Sequence, residues 1–240
     1  MKARRQILTG ALGLAALAAS TVAASAAVDI SSASLPPIGN DLNGNPTGYL
    51  TPQQVHAMYS GPGLVLVLSQ AIHQPFADQN LFRETVPGTN NEHEHFDSTL
   101  TAMVSANGSP DQPVSLSGPV DTLVLGKAGN TTGTFQTEML SLNLSGNSPF
   151  GPVMIRESPT LQSLGQTSIT STTGGFHIDS FFDIFTELSV DGGQSWIPDS
   201  NGPAHVSLQS LSSVPEPGTL AWGAAMGLVF GLRRMRARRA

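Results

Sequence analysis

The stretch TFQTEMLSLNL, residues 134–144, holds two threonines, one phenylalanine and three leucines. Threonine and phenylalanine suit a pleated, half-buried surface. An extended conformation places alternate side chains on opposite faces. One face would carry Phe135, Thr137, Met139, Ser141 and Asn143, and the other Glu138, Leu140, Leu142 and Leu144. The stretch therefore predicts a long β-strand, and it sets the fold class expected for the chain around it.

Short runs of similar composition recur on both sides of this strand, separated by turn residues roughly every 8 to 15 positions. They cover residues 64–68, 96–104, 120–125, 153–155, 167–170 and 206–211. Residues 176–190 fit a helix or a strand, and we favour a strand because glycine pairs punctuate both ends. The pattern predicts an all-β fold, a single β-sandwich-like domain over residues 61–213.

Glycine and proline mark the expected breaks between strands. Residues 27–60 predict an irregular lead-in, with a short helix at Pro52 to Tyr59 that Thr51 would cap. The sequences LSGP at 116–119 and LSGN at 144–147 are interpreted as two similar turns.

Charge is distributed very unevenly along the chain. The whole sequence has a formal net charge of −6, but most cations lie at its two ends. Residues 27–217 keep only Arg83, Lys127 and Arg156 against all 17 carboxylates, a net charge of −14. Such a domain repels nucleic acid and anionic headgroups. The sequence has no cysteine, so no disulfide can stabilise it.

Residues 1–26 have the three parts of a signal peptide. Lys2, Arg4 and Arg5 form a charged start, residues 7–22 are uncharged and largely apolar, and residues 24–26 read ASA. Small residues of this kind predict cleavage after Ala26 by signal peptidase. We expect export through the Sec translocon, with the arginine pair leaving the twin-arginine (Tat) route open.

The C-terminal segment, residues 214–240, also has three parts. Val214, Pro215, Glu216 and Pro217 come first, and the uncharged stretch from Thr219 to Leu232 follows. As a helix, these 14 residues would span about 21 Å, somewhat less than the ~30 Å hydrocarbon core. The chain then ends in a basic cluster: Arg233, Arg234, Arg236, Arg238 and Arg239. We expect a short transmembrane helix whose arginine end faces the cytoplasm.

This ordered ending resembles the PEP-CTERM sorting signal of Gram-negative bacteria. The resemblance implies recognition by an exosortase at residues 214–217, a transient stay in the inner membrane, and a final place at the cell surface or in the extracellular matrix. It also implies an association with exopolysaccharide and biofilm. Parts of residues 95–211 are similar to uncharacterised proteins of the same group. This similarity implies no particular activity for the chain.

Ser189, Asp191, Gly193 and Trp196 match the Asp-box pattern Ser-x-Asp-x-Gly-x-x-Trp. In that motif the carboxylate accepts N–H bonds from its own turn, and tryptophan packs back on the strands. We interpret it as a structural β-hairpin turn. A secreted glycoside hydrolase is the alternative that the motif suggests.

The sequence EHEH at residues 92–95 is the most metal-like feature. On a strand, His93 and His95 would share one face and the two glutamates the other. Two imidazoles would form half of a Zn²⁺ or copper site, with a third ligand from His73, His177 or His205. The residues 41–45, DLNGN, lack the later ligands of an EF-hand loop, although acidic loops could still attract Ca²⁺.

No nucleophile elbow, phosphate loop or dinucleotide motif occurs in the sequence. We therefore expect a non-enzymatic, exported surface or matrix protein without a cofactor. A metal- or glycan-binding module is the second hypothesis, with Trp196 or Tyr59 as the surface on which a sugar would stack.

Overall fold

A computed structural model describes residues 27–211. The predicted signal helix, the sorting motif and the C-terminal transmembrane helix lie outside these residues. Within them the chain forms 14 strands and no α-helix, which confirms the all-β class. The strands are β1 (Ala27–Ile30), β2 (Thr47–Leu50), β3 (Val55–Gly61), β4 (Leu64–Phe76), β5 (Phe82–Thr85), β6 (Glu92–Ala106), β7 (Gln112–Val124), β8 (Gly133–Ser148), β9 (Gly151–Glu157), β10 (Ser163–Thr172), β11 (Gly175–Ile184), β12 (Thr186–Ser189), β13 (Ile197–Pro198) and β14 (Ala204–Ser210).

Eight of the strands close on themselves as an antiparallel barrel, in the order β2-β4-β6-β7-β8-β10-β11-β14 and back to β2. The predicted sandwich is corrected in this respect, because one continuous sheet curls round instead of two sheets stacking. Closure removes the unpaired edges that an open sheet would expose.

Two of the long strands serve different partners along their length. The first half of β4 pairs with β3 and its second half with β2, while the first half of β8 pairs with β10 and its second half with β9. Strands β12 and β13 continue the sheet beyond β9, and a bridge from Tyr59 to Asp199 brings them back to β3. These strands therefore extend the sheet beyond the barrel, and Ile155 of β9 and Leu188 of β12 belong to the same hydrophobic core as the barrel residues Leu68, Leu116 and Leu144.

A β-bulge changes which face of β8 points inward. Phe135, Thr137 and Met139 are buried, as one predicted face requires, but beyond the bulge Leu142 and Leu144 are buried instead. The register shift lies between Asp121 and Thr122 on the partner strand β7. An extra residue of this kind re-aims the side chains that follow it.

Three local predictions are wrong. The predicted helix at Pro52 to Tyr59 overlaps strand β3, which pairs along β4, and the lead-in holds three strands, with irregular chain over residues 31–46. The two LSG sequences lie inside β7 and β8, where Leu116 faces Gly146 and Ser117 faces Ser145. The strand interpretation of residues 176–190 is confirmed by β11 and β12.

Within residues 27–211, none of the secondary structure is a helix with the length and apolar character that crossing a membrane requires.

Candidate functional site

The EHEH sequence lies at the start of β6, where its four side chains alternate between the two sides of the barrel wall. His93 and His95 point outward, and Glu94 points into the interior, where it is only 1% exposed. The predicted separation of the imidazoles from the glutamates therefore holds for His93, His95 and Glu94. The two histidines belong to a patch on the outer surface, and Glu94 belongs to a site in the interior.

The outer patch consists of Phe82, Glu84, His93, His95, Asp121 and Ser141. Asp121 Oδ1 accepts hydrogen bonds from His93 Nε2 at 3.1 Å and His95 Nδ1 at 2.8 Å, and its Oδ2 accepts one from Ser141 Oγ at 2.8 Å. Burial opposes the ionisation of Asp121, but the bonds from His95, Ser141 and His93 outweigh it and hold its pKa below the usual value. The carboxylate is therefore a fixed anion at the centre of the patch.

An exposed aromatic ring covers one side of this patch. The ring of Phe82 stacks on that of His95 with 5.0 Å between centroids and 17° between planes, and 47% of Phe82 remains exposed. Glu84 Oε1 lies 3.4 Å from His93 Nδ1 at the outer margin. The patch thus presents a flat apolar surface beside fixed hydrogen-bonding groups.

The three other candidate metal ligands do not join His93 and His95. His73 lies in the interior, where its Nε2 is 2.7 Å from Ser98 Oγ. His177 bonds to Asp29 at 2.8 Å and His205 to Asp183 at 2.7 Å, on strands β11 and β14. In the described part of the chain, no group of three or more histidine or acidic side chains has the arrangement that holds a metal ion.

The Asp-box residues form a closed turn between β12 and β13. Asp191 Oδ1 accepts bonds from the N–H groups of Gln194 and Ser195 at 3.0 and 2.9 Å, and Ser189 Oγ accepts one from Gly193 N–H at 2.8 Å. The Ser195 bonds, together with that from Ser189, lower the pKa of Asp191 to about 2. Its oxygens are thus occupied by the groups of their own turn.

The two side chains considered for sugar stacking have different surroundings. Tyr59 is 1% exposed and its hydroxyl is 2.8 Å from Thr186 Oγ1, so the proposal that it offers a stacking surface is wrong. Trp196 is partly exposed, with the Arg156 guanidinium 4.1 Å above its ring and its Nε1 donating to Gly193 O. One face of the indole is therefore already covered by a cation.

The loop DLNGN is closed by its own amides. Asp41 Oδ1 accepts from the N–H groups of Asn43 and Asn45 at 2.9 and 2.8 Å, and Oδ2 accepts from Asn45 Nδ2 at 3.1 Å. These bonds make it a tight Asx-type turn.

The inner site is a cavity on the axis of the barrel, and all eight barrel strands contribute to its lining. Its polar side chains are Tyr49, His73, Glu94, Thr122, Thr137 and Thr167. Thr122 Oγ1 donates to Glu94 Oε2 at 3.3 Å, whereas Glu94 Oε1 and Thr137 Oγ1 are buried without a partner. Burial, followed by the hydrogen bond and charge of Glu92, raises the pKa of Glu94 well above its ordinary value. Its surroundings therefore favour the neutral acid form of Glu94 far more than water does.

A second cavity continues the first and shares His73, Ile184 and Val206 with it. It adds His56, whose Nδ1 is buried without a partner, and Tyr59. Burial lowers the pKa of both His56 and His73 to about 4, with the His56 charge adding to the effect on His73. Both imidazoles are neutral at pH 7.

The chain between β1 and β2 closes the mouth of the first cavity. Leu35, only 3% exposed, and Pro36 line the cavity from this segment. Arg83 holds them, because its Nε donates to Leu35 O and its NH2 group lies 3.5 Å from Pro36 O. We call residues 31–46 the plug.

Sequence reasoning identified His93 and His95 but missed their carboxylate partner Asp121, the ring of Phe82 and the inner role of Glu94. The missing information is the pairing of β6 with β5 and β7, which puts Phe82 and Asp121 on either side of His95. Within the local sequence, only the alternation of Glu and His in EHEH indicated that Glu94 and the two histidines lie on opposite sides of the strand.

No family model, curated protein or solved structure matches this chain.

Proposed function

We propose that this chain is an exported, exosortase-processed surface or matrix protein, and that its barrel is a non-catalytic domain that associates with exopolysaccharide through the outer patch. The observation that carries the glycan part is the half-exposed Phe82 ring, stacked on His95 beside the fixed carboxylate of Asp121. Sugar rings stack their C–H faces on aromatic rings, and their hydroxyls donate to carboxylates.

The charge of the domain restricts the polysaccharide it would bind. The three cations of the described residues are all engaged locally: Arg83 at the plug, Lys127 with Asn130 O and Arg156 with Glu187. The carboxylates, which outnumber these cations, leave a strongly negative surface that repels anionic polymers. The proposed partner is therefore a neutral or amino-sugar polysaccharide.

Replacing Phe82 with alanine is expected to weaken binding to such a polysaccharide about tenfold, because an aromatic anchor commonly contributes that much at a binding surface. Affinity electrophoresis in gels containing polysaccharide from the producing bacterium measures this directly. Phe150→Ala is the matched control, since Phe150 is 46% exposed, against 47% for Phe82, and lies in the turn between β8 and β9. Equal retardation of both variants and the wild type would contradict the glycan role.

The export part of the proposal has its own test. N-terminal sequencing of the protein recovered outside the cytoplasm is expected to begin at Ala27, which is the first residue of β1 and pairs with Asp179. Replacing Pro215 and Pro217 with alanine is expected to leave the tail uncleaved and the protein in the inner membrane fraction. Soluble cytosolic protein with both termini intact would overturn this part.

A further inference from the structure

Buried polar atoms without a partner are concentrated in the barrel interior. The described residues contain four such side-chain atoms, and three of them, Glu94 Oε1, Thr137 Oγ1 and His56 Nδ1, belong to residues lining the two connected cavities. Folded proteins satisfy nearly all buried polar groups, and an exception calls for an explanation. Two of the three line the first cavity, directly beneath the plug.

We propose that the first cavity is a binding site for a small uncharged molecule with a carboxamide or protonated carboxyl head and a short, branched alkyl body. This site is separate from the outer patch, so neither proposal depends on the other.

The head group is specified by Glu94 and Thr137. The neutral form of Glu94, which burial favours, both donates and accepts hydrogen bonds. Besides its contact with Glu92, Glu94 accepts a bond from Thr122 at Oε2, while its Oε1 has no partner. A carboxamide or carboxylic acid carries a donor and an acceptor side by side and complements such a group. A ligand with a net charge would lose its hydration on entering this cavity, which is strongly unfavourable, and the nearby Arg83 is already bonded to the plug carbonyls.

The alkyl body is specified by the remaining lining and by the available space. The apolar lining includes Leu35, Phe96, Val124, Met139, Phe182 and Val206. The cavity volume is about 20 Å³, which is room for one water-sized group. One oxygen or nitrogen of the head fits this space, and the rest of the ligand must take the place of the Leu35 side chain.

The plug is the part of the enclosure that can yield. Leu35 and Pro36 lie in irregular chain and are held from β5 by Arg83, whereas the walls are strands bonded on both sides. Irregular segments with few backbone bonds open at a lower free energy than a closed sheet. A ligand would therefore enter by displacing Leu35 and leave the barrel intact.

Isobutyramide is the probe that tests this site. Titration into the purified full-length protein, followed by calorimetry and by NMR shifts of the probe, is expected to give a saturable Kd of about 1 to 10 mM, as suits six heavy atoms. Leu35→Ala is expected to tighten binding about tenfold by creating space for the alkyl group. Leu161→Ala, at a position 50% exposed, is the control and is expected to leave the Kd unchanged.

The role of Glu94 is tested by two substitutions of similar size. Glu94→Gln keeps a neutral donor and acceptor and is expected to retain binding within about threefold, while Glu94→Leu is expected to weaken it at least about tenfold. Isobutylammonium is expected not to bind. Equal binding by the Gln and Leu variants, tighter binding of the ammonium probe, or no saturable binding even to Leu35→Ala would overturn the proposal. Phe82→Ala is expected to leave isobutyramide binding unchanged, so failure of this site is distinguishable from failure of the glycan role.

Discussion

In the Glu94→Gln protein, protonation of two buried histidines is expected to cost about 6 kcal/mol of unfolding free energy when the pH falls from 7 to 4, offset in part by Glu157 and Asp199, whose pKa values burial raises. The loss comes from His56 and His73, whose pKa values burial lowers from 6.5 to about 4. Well above pH 6.5 both imidazoles are neutral in the folded and the unfolded chain. In that range they do not change the free energy of unfolding with pH. As the pH falls below 6.5 the unfolded chain takes up two protons that the folded chain does not bind. Each histidine then costs about 3 kcal/mol by pH 4, below which the folded state is protonated too and the loss levels off.

Glu94 acts in the opposite direction, which is why the substitution is needed. Its pKa is raised well above 4.5 in the folded state, so above pH 4.5 the folded chain binds more protons at this site than the unfolded chain does. This lowers the free energy of unfolding, and the penalty disappears as the pH falls toward 4.5. Wild-type protein is therefore expected to lose less stability than Glu94→Gln over the same interval. At pH 8 the Gln variant is expected to be the more stable of the two. Its amide is neutral in both the folded and the unfolded chain, so folding requires no proton uptake at this position.

Urea denaturation at several pH values measures these differences. Adding His73→Gln to the Glu94→Gln protein keeps a hydrogen-bonding side chain beside Ser98 and removes one of the two titrating imidazoles. About half of the decrease in unfolding free energy between pH 7 and pH 4 is then expected to disappear. A typical domain is stable by only about 5–15 kcal/mol, so the Glu94→Gln protein is expected to be close to unfolding at pH 4. Parallel stability curves for the single and double variants would show that His73 is not the titrating group.

The fold class was predictable because strand alternation is a local property. The EHEH sequence gave the correct separation of His93 and His95 from Glu94 for the same reason. Which face points inward was not predictable, since that depends on the partners of β6 in the closed sheet. Closure itself rests on pairs distant in sequence, such as Leu50 with Ser207 on strands β2 and β14.

Irregularities inside the strands explain the remaining errors. The bulge that re-aims β8 leaves Leu140 45% exposed and buries Leu142, a change that no periodic pattern predicts. Glycine in both LSG sequences predicts a turn because it is one of the residues that dominate turns. In the structure these glycines serve a different purpose, which is close contact between two paired strands.

Gly118→Ala is expected to destabilise the protein by about 3 kcal/mol or more, the upper range for forcing an extra carbon into a packed interior. A Cβ at this position would lie 2.1 Å from the backbone oxygen of Asn143 on β8, far inside any real contact.

Neither strand can move away to relieve this contact. Gly118 is paired with Ser98 of β6 on its other side, and Asn143 with Arg156 of β9, so a shift of either strand breaks a second set of backbone bonds. Ser115→Ala, an exposed change on the same strand, is the control and is expected to alter stability by less than about 0.5 kcal/mol. Urea denaturation midpoints of the two variants and the wild type measure these changes in stability. If Gly118→Ala unfolds within about 1 kcal/mol of the wild type, β7 and β8 are not held this closely, and the glycine would be better explained as the turn residue that its sequence suggests.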